Sequence, residues 1–378
     1  MQASLWEKES FYSPADVLII GSGFVGLWTA LELKKIQPTL DVLIVDRGII
    51  PTGASTRNAG FSCFGSATEL LYDLKTWGEE KTLRLVQMRY SGLQQIRKTF
   101  RESEIDYTQP GGYDLLTDEI NYDIASLKDD LKKLNRSLKD IVGDNKTFSV
   151  SDEKIEQFGF KGVNHLIATA YEGQLHSGKL TQALLMEVQR LGVRVLFGYE
   201  VSSFEDVGGK IIVRNKQGIE LSTKRLAICT NAFTRELIPQ LEVEPARGQV
   251  LVTSEIRGLK LKGCFHYDEG FVYFRNLGNR LLLGGARNKF LDEERTHDLT
   301  TTSQNIQNAL ERLMKEVILP GQNSYTIEHR WSGIMGMRSE KHPALGELKP
   351  GVLYAVGLGG IGLATSPMVA KELTKMLL

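Results

Sequence analysis

The sequence is poor in cysteine and has no excess of either charge. Its three cysteines, Cys63, Cys229 and Cys264, lie far apart, and the chain has neither a Cys-x-x-Cys pair nor a His/Cys cluster at metal-ligand spacing. This pattern argues against a disulfide framework and against structural zinc. Lysine plus arginine equals aspartate plus glutamate at 46 each, so no long-range field attracts nucleic acid or an anionic membrane.

Long apolar runs are also missing. Glu7, Lys8 and Glu9 interrupt the stretch where a signal peptide would need unbroken apolar residues, and no later run approaches a membrane span. We therefore expect a cytoplasmic enzyme. With 378 residues, 42% of them apolar, the chain is long enough for two or three domains with buried cores.

A nucleotide-binding unit is predicted near the start of the chain. Residues 16–20 form an apolar strand pattern, a glycine-rich turn and a helical pattern follow, and residues 42–46 form a second strand pattern. In such a unit the first glycine permits the bend, the second lets a pyrophosphate approach, and the third lets helix and strand pack closely. The predicted contacts of this turn are Gly21, Gly23, Phe24, Val25 and Gly26.

Asp46 ends the second strand and is followed by Arg47, and we assign both to the same site. A carboxylate at this place accepts hydrogen bonds from the ribose hydroxyls, which favours an unphosphorylated ribose. Three glycines in a short stretch could equally form an ordinary loop. The strand before them, the helix after them and the acid at the next strand end favour nucleotide binding.

A second polar segment follows the ribose-binding strand. Residues 53–60 read Gly-Ala-Ser-Thr-Arg-Asn-Ala-Gly, with many hydrogen-bonding groups and little bulk. Such residues are common in surface loops for turn-forming reasons alone. The position directly after the nucleotide unit instead suggests that a flat polar group lies against them.

With this segment the chain resembles the FAD-dependent amine and amino-acid oxidoreductases, the family of D-amino-acid oxidase, glycine oxidase and sarcosine oxidase. The resemblance implies noncovalent FAD, because relatives that attach the flavin use a cysteine in a region that here, at residues 331–346, has none. It implies that Ser55 contacts the pyrophosphate and that later residues approach the ribityl chain and isoalloxazine. The residues assigned in this way are Ala54, Ser55, Arg57, Asn58, Ala59, Gly60 and Phe61.

The middle of the chain resembles the family's return to its nucleotide domain. Helical residues 179–191 lead into a strand pattern, and Val201 occupies the position that holds the adenine in relatives. Turn signals at 208–209 and 217–218 predict a small antiparallel layer beside the parallel sheet. The following strand, 225–232, ends in small polar residues that close around the cofactor in relatives, here Thr230 and Asn231.

A second glycine cluster lies near the C-terminus. The buried-strand pattern 352–357 runs into Gly359, Gly360, Ile361, Gly362 and Leu363, and a helix is predicted from about 367 to 378. In relatives this helix start faces the pyrimidine end of the flavin, where the helix dipole stabilises negative charge. Plain helix packing is the alternative. Two glycine motifs at opposite chain ends favour a flavin over NAD.

The remaining segments predict a cap over the cofactor. Residues 67–104 are helical in pattern, and apolar residues recur at helical spacing over 124–138, too briefly for a coiled coil. Strand patterns at 246–252, 270–275 and 280–285 predict a second sheet, and 303–317 predicts a further helix. The expected fold is α/β. A Rossmann-like FAD-binding domain (1–80, 150–235, 326–378) is interleaved with an antiparallel α+β substrate domain (81–149, 236–325).

Substrate contacts are predicted on the second sheet and after it. Residues 331–346 resemble the family's Trp-x-Gly segment, in which Gly333 lies along the flavin. Amino-acid oxidases place a carboxylate-binding arginine where this chain has Met335. Arg338, three residues on, could take over this contact through its two-pronged guanidinium, and a surface salt bridge is the alternative for it. The other predicted catalytic or substrate-contacting residues are Tyr273, Arg275 and Arg287.

The resemblance implies oxidation of a C–N bond in a small amine or amino-acid derivative. A hydride passes to the flavin, and water hydrolyses the resulting imine, so no protein base is strictly required. The electron acceptor is oxygen or a quinone or other electron carrier, so both an oxidase and a dehydrogenase stay open. Leu282 stands where sarcosine oxidases have an oxygen-activating lysine, which allows slow oxygen use and hence a dehydrogenase. Three alternatives stay open: oxidation of an aminomethyl group in tRNA modification, which the balanced charge disfavours, a flavin-independent NAD dehydrogenase, and a flavin-binding protein without amine turnover.

Overall fold

The computed structural model describes residues 3–118, 123–298 and 301–378. The predicted cap ranges include 119–122 and 299–300, which lie outside these residues. The strands are β1 Ala15–Ile20, β2 Val42–Asp46, β3 Phe61–Ser62, β4 Gly112–Thr117, β5 Ser149–Val150, β6 Val163–Thr169, β7 Gly173–Gln174, β8 Arg194–Phe197, β9 Val201–Val207, β10 Lys210–Asn215, β11 Glu220–Ile228, β12 Glu244–Thr253, β13 Cys264–Tyr267, β14 Val272–Leu277, β15 Arg280–Gly285, β16 Ile327–Met337, β17 Ala344–Lys349 and β18 Val352–Val356.

The helices connect these strands and cover both sheets. The α-helices are α1 Leu5–Glu9, α2 Phe24–Ile36, α3 Ala54–Arg57, α4 Ala67–Trp77, α5 Glu79–Thr99, α6 Glu102–Ile105, α7 Ile124–Val142, α8 Lys154–Phe158, α9 Ser177–Arg190, α10 Gln304–Leu313 and α11 Gly362–Leu377. Short 3-10 helices lie at Asn231–Glu236, Arg287–Lys289 and Gly359–Ile361, and a π-helical turn lies at Met314–Ile318. Among the described residues no helix is both long and apolar enough to cross a membrane.

The first sheet has a parallel centre in the order β18-β11-β1-β2-β8. β17 pairs antiparallel with β18, and the β9–β10 hairpin pairs antiparallel with the first half of β11. Side chains alternate across a strand: Val17 and Ile19 pack into the core under α2 and α11, and Leu18 and Ile20 pack into the core on the hairpin side. The predicted parallel sheet with a small antiparallel layer is confirmed.

The second sheet runs in the order β16-β12-β15-β14-β13-β4-β6-β5 and is antiparallel except where β13 meets β4. One face packs on α8 and α10 through a cluster that includes Phe158, Phe160, Phe265 and Phe274. The other face presents a smaller apolar group toward the first sheet, comprising Val250, Val252, Leu282, Tyr273 and Trp331 with Ala59 and Phe61.

Sheet membership differs from the predicted domain boundaries in three places. β6, predicted after the return at 150, pairs in the second sheet, and so does β16, predicted after the return at 326. Helix α5, predicted in the cap, packs against α11 in the core of the first sheet instead, and α7 packs on α4 and α5. At Gly92 a side chain would come within 1.8 Å of the Ala364 carbonyl, so α5 crosses α11 backbone to backbone. An amphipathic pattern identifies an apolar face but not the core that the face joins.

The C-terminal helix begins at Gly362, earlier than the predicted start near 367. Pro367 lies inside α11, where a proline normally leaves the carbonyl four residues earlier without a backbone donor. That carbonyl belongs to Leu363, and the hydroxyl of Ser366 donates to it at 3.1 Å. The glycine cluster therefore leads directly into the helix.

Candidate functional site

One cavity of about 490 Å³ lies between the two sheets. Both glycine clusters, the segment 54–61 and the inner face of the second sheet contribute to its wall. All the residues that the sequence assigns to the cofactor or substrate line it, apart from Gly26, Gly60 and Arg275. Residues far apart in sequence thus form one continuous space.

The turn at Gly21 has the backbone geometry that its glycines predict. Gly21 has φ +107°, and a Cβ atom there would lie 2.8 Å from the Cys229 carbonyl oxygen. A Cβ atom at Gly26 would lie 2.0 Å from the Gly21 carbonyl oxygen. Gly26 therefore acts behind the cavity wall, where it lets α2 pack against the turn.

The start of α2 opens into the cavity and is available to an anion. No side chain caps this helix through its N-cap residue, Gly23. Leu27 is the first residue whose amide bonds back to that residue, at 3.0 Å, so the preceding amides have no intrahelical acceptor. Ser55 Oγ accepts from the Phe24 amide at 2.9 Å. Free amides at a helix start and a hydroxyl beside them fit a pyrophosphate.

Asp46 is held at the cavity by three hydrogen bonds. Ser22 donates to Oδ2 through its amide at 2.8 Å and its hydroxyl at 2.6 Å, and Gly48 donates its amide to Oδ1 at 2.9 Å. Each carboxylate oxygen has two lone pairs, so acceptor capacity remains for ribose hydroxyls. Arg47 lies over the Phe233 ring, 3.7 Å from its centroid, and shapes the wall on the same side.

The segment 54–61 is fixed by contacts to other parts of the chain. Asn58 donates to the carbonyls of Ala54 and Ser55 and accepts from the Gly60 amide and the Ser177 hydroxyl. Because these bonds use its amide fully, Asn58 shapes the segment. Arg57 is similarly tied to the second sheet.

Arg57 and Trp331 join the segment to strand β16. Arg57 Nη1 donates to the Ser332 carbonyl at 2.9 Å, and Trp331 Nε1 donates to the Arg57 carbonyl at 2.9 Å. A Cβ atom at Gly333 would lie 2.9 Å from the Arg57 Cβ. Gly333 therefore allows β16 to approach the segment 54–61 closely at the cavity.

Arg275 lies outside the cavity and braces its wall. Its guanidinium is buried and donates to the carbonyls of Ala59 at 2.7 Å and Leu175 at 3.3 Å and to Gln174 Oε1 at 3.2 Å. Burial lowers the pKa of this group. The nearby Gly60 has φ +73°, and a Cβ atom there would lie 2.1 Å from the Leu175 carbonyl oxygen. These contacts favour a structural role for Arg275 over the predicted contact with substrate.

Asn231 organises the second glycine cluster. Its Oδ1 accepts from the amides of Gly357 at 3.0 Å and Leu358 at 3.4 Å, and its own φ is +47°. Arg338 packs along Gly357 and donates to the His342 carbonyl at 2.7 Å. The guanidinium of Arg338 is thus partly engaged by the chain, although the residue lines the cavity.

The part of the cavity beneath the second sheet has aromatic and apolar walls. Phe61 meets Tyr273 and His266 edge to face, with ring centroids 5.6 and 5.5 Å apart. Arg287 also lines this part and has no hydrogen-bond or ion-pair partner among the described residues, while burial lowers its pKa. Water exclusion beside a guanidinium suits an anionic group of a small ligand.

A buried polar cluster lies behind Phe61 that the sequence does not reveal. His266 Nε2 lies 2.5 Å from Glu172 Oε1, and Cys63, which lines the cavity with His266, completes a set of potential metal ligands within 4.8 Å of one another. The sequence predicts no metal, because these residues are far apart along the chain. The glutamate and the histidine already pair with each other.

The charge on His266 depends on this pairing. Burial lowers its pKa, but the carboxylate of Glu172, with smaller contributions from Asp114 and Glu69, outweighs burial and raises the pKa to about 9. The histidine is therefore an imidazolium at neutral pH. Burial also raises the pKa of Asp114, whose Oδ2 accepts from the amide and hydroxyl of Thr68.

We predict that His266→Gln flattens the pH dependence of stability. A pKa raised from 6.5 to about 9 gives stabilisation that is complete below pH 6.5 and is lost as the pH rises through 9. The free energy of unfolding should fall across this window more steeply in the natural protein, by up to about 1.4 kcal/mol per pH unit for one proton. Urea unfolding at several pH values measures the difference, and parallel curves for both proteins would contradict the prediction.

A second buried network borders the same part of the cavity. Glu69 Oε1 pairs with Arg89 Nη1 at 3.2 Å and with Lys341 Nζ at 3.0 Å, and Lys341 also pairs with Asp73 at 2.7 Å. Burial raises the pKa of Glu69, but Arg89 and Lys341 prevail and lower it overall. Three of these groups line the cavity with their charges already balanced. No sequence motif marks them.

Comparison with known proteins gives a consistent result. The family model described as "FAD dependent oxidoreductase" (DAO) matches residues 16–376. The probable oxidoreductase OrdL of Haemophilus influenzae is 22% identical over 396 residues, covering 96% of this chain and 83% of that protein. L-proline dehydrogenase from P. horikoshii has a TM-score of 0.75 at 18% identity, covering 96% of this chain and 93% of the other.

A further solved structure, iminodiacetate oxidase from Chelativorans, has a TM-score of 0.74 at 20% identity and covers 95% of this chain and 94% of its own. At such identities the structural likeness shows a shared fold.

Proposed function

The chain belongs to the family of FAD-dependent oxidoreductases, and from this premise we propose that it oxidises the C–N bond of a small amine or amino-acid derivative. Its cofactor is FAD, and the segment 331–346 contains no cysteine that could attach it. The redox chemistry would come from bound FAD, as acceptor of a hydride from the carbon next to the nitrogen. Residues of this chain would bind and orient the substrate.

The observation that carries the proposal is the continuity of the cavity. It passes from the α2 start and Asp46, past the segment 54–61, to a space walled by Phe61 and Tyr273 beside Arg287. A dinucleotide along the first part would bring its reactive ring beneath the second sheet. The apolar group of the second sheet would cover that ring and exclude water from the reacting atoms.

The chain's own groups would bind and orient the substrate. Arg287 would bind a carboxylate, and the edges of Phe61 and Tyr273 would fix the carbon that loses the hydride. Burial raises the pKa of the Tyr273 hydroxyl to about 12, so Tyr273 stays neutral and donates hydrogen bonds. Leu282 packs with Ala59 and Val250, and the cavity-lining Lys341 is paired with two carboxylates. Among the described residues that line the cavity, Lys341 is the only lysine, and its pairing supports slow reaction with oxygen and hence a dehydrogenase.

The test starts from the visible spectrum of the FAD-loaded protein. Without oxygen, a panel of amino acids and secondary amines should include a compound that bleaches the flavin, and rates of reoxidation by oxygen and by a quinone then identify the acceptor. A flavin that no amine or amino acid bleaches would contradict the proposed reaction. It would leave the family assignment intact.

We predict that Arg287→Met lowers kcat/KM for carboxylate-bearing substrates by roughly 10- to 100-fold. The reason is that a hydrogen bond to a charged group contributes about 1.5–3 kcal/mol. Methionine keeps most of the volume and removes the charge. An amine without a carboxylate should react as before. The matched variant is Arg338→Met, and a loss confined to that variant would transfer the carboxylate contact to Arg338.

A further inference from the structure

Two charged side chains at the cavity have no partner in the part of the protein that the structure describes. Of the charged groups that line it within the described residues, only Glu269 and Arg287 have neither a hydrogen bond nor an ion pair. Glu69, Glu200, Glu236 and Glu340 each have a lysine or arginine partner, and the Asp46 carboxylate accepts three hydrogen bonds. A free anion and a free cation thus face one enclosed space.

Glu269 is carried on a turn with an unusual backbone. The turn joins β13 to β14, and Asp268, Glu269 and Gly270 have φ of +55°, +53° and +81°. Left-handed φ values are costly for residues with a Cβ. The turn is held by the Phe271 amide, which donates to the Asp268 carbonyl at 2.9 Å, and by Asn288, which donates to Asp268 Oδ2 at 2.8 Å. These contacts fix the Glu269 carboxylate at the cavity.

The surroundings of Glu269 favour an incoming cation. Burial raises its pKa, and the carboxylates of Asp268, Asp73 and Asp114 raise it further, while Lys341 opposes them. A carboxylate in such surroundings is stabilised in its charged form when a positively charged ligand group binds beside it. The Glu269 side of the cavity is therefore selective for positive charge.

The group that Glu269 binds differs from the nitrogen that reacts. The two stretches that carry Glu269 and Arg287 are bonded to each other, since Asn288 donates to Asp268 Oδ2 at 2.8 Å and the Ala286 amide donates to the Phe271 carbonyl at 2.9 Å. One small substrate can therefore reach both side chains. Hydride loss from the carbon requires a neutral amine, and a carboxylate contact would keep that amine protonated. A bound ammonium at Glu269 is then a second group.

We propose that Glu269 is a specificity residue that binds a second, non-reacting cationic group of the substrate, which places the substrate among basic amino-acid derivatives. Arg287 takes the carboxylate and Glu269 takes the distal ammonium or guanidinium. This inference rests on the proposed function, because it assumes that the cavity beneath the second sheet binds the substrate.

The test compares L-lysine with L-norleucine, which has a similar side-chain length but no distal charge. Both are titrated into the FAD-loaded protein without oxygen, and the dissociation constant is read from the change in flavin absorbance, together with any bleaching. Because the stereochemistry is open, both enantiomers are used. The natural protein should bind lysine at least tenfold more tightly, and Glu269→Gln should abolish that preference while leaving norleucine unchanged.

Two variants make the test sharper. Glu269→Lys should reverse the preference, so that L-glutamate binds more tightly than L-lysine. Glu340→Gln is the control, since this half-exposed acid is paired with Lys81 at 3.6 Å and its loss should leave the lysine preference intact.

Equal binding of lysine and norleucine by the natural protein would overturn the inference and leave the proposed function standing. A shift in the pH profile of bleaching by norleucine in Glu269→Gln would also overturn it, because Glu269 would then act as a base. If no compound changes the absorbance or bleaches the flavin, the proposed function itself fails.

Discussion

Gly26→Ala should purify without a yellow chromophore. The new methyl group would lie 2.0 Å from the Gly21 carbonyl oxygen and 3.3 Å from Ile19 Cγ2. Neither neighbour moves freely, since Ile19 is fully buried in the central strand β1 and Gly21 already has φ +107°. The helix start must therefore shift away from the turn, and its free amides leave the place where they meet a pyrophosphate. Overpacking of this kind costs about 1–3 kcal/mol, so FAD affinity should fall by up to roughly hundredfold.

Ala30→Gly separates this effect from general weakening of the helix. Ala30 is buried in the same helix, and glycine there costs about 1 kcal/mol of helix stability without touching the turn. It should lower thermal stability and retain FAD. Equilibrium titration with FAD, followed by flavin fluorescence, measures both variants. Natural affinity in Gly26→Ala would show that the close helix contact is not needed for the cofactor.

The other large effect is expected at Arg247, in β12. Its Nε and Nη2 donate to the two carboxylate oxygens of Glu294 at 3.0 and 2.8 Å, and Gln249 donates to the same carboxylate at 2.9 Å. Glu294 is 1% exposed. Arg247→Met would leave a buried carboxylate without its counter-ion, which costs about 3–5 kcal/mol. Urea unfolding with excess FAD measures this loss.

The double variant Arg247→Met with Glu294→Met is the decisive comparison. Replacing both members of a buried ion pair by apolar groups of similar size is often close to neutral, so the double variant should recover most of the lost stability. If the two losses simply add, the pair is not the source of the effect. Because Arg287 lies on the stretch that leads to Glu294, the single variant Arg247→Met should also lower kcat/KM for substrates that carry a carboxylate.

Local patterns predict the parts of the site that depend on neighbouring residues. The unit from Asp16 to Asp46 combines strand, turn and helix within one short stretch, and Gly21 and Gly26 have the geometry that their positions predict. Hairpins at 208–209 and 217–218 follow from local turn chemistry in the same way. In these segments the forces that decide the structure act between residues close in sequence.

The other parts of the fold and of the site depend on contacts between residues far apart in sequence, which local sequence patterns do not predict. Strand β6 carries no mark that sends it to β4 rather than to the first sheet, and Arg275 reads like any charged residue of an alternating strand until its acceptors, the carbonyls of Ala59 and Leu175, are known. The pairing of His266 with Glu172 joins a strand to a distant loop. Pro367 misled the placement of α11 because the Ser366 hydroxyl compensates for it.

The alternation of the chain between the two sheets has a consequence for how such a protein can be divided. Residues 15–46 belong to the first sheet, 112–169 contribute to the second, 194–228 return to the first, 244–337 to the second, and 344–356 to the first again. No single cleavage of the chain separates the two sheets. After proteolysis in a connecting loop, the two fragments should therefore stay associated, because each contributes strands to a shared sheet. Recombination that transfers the activity to another protein has to move these stretches as one piece.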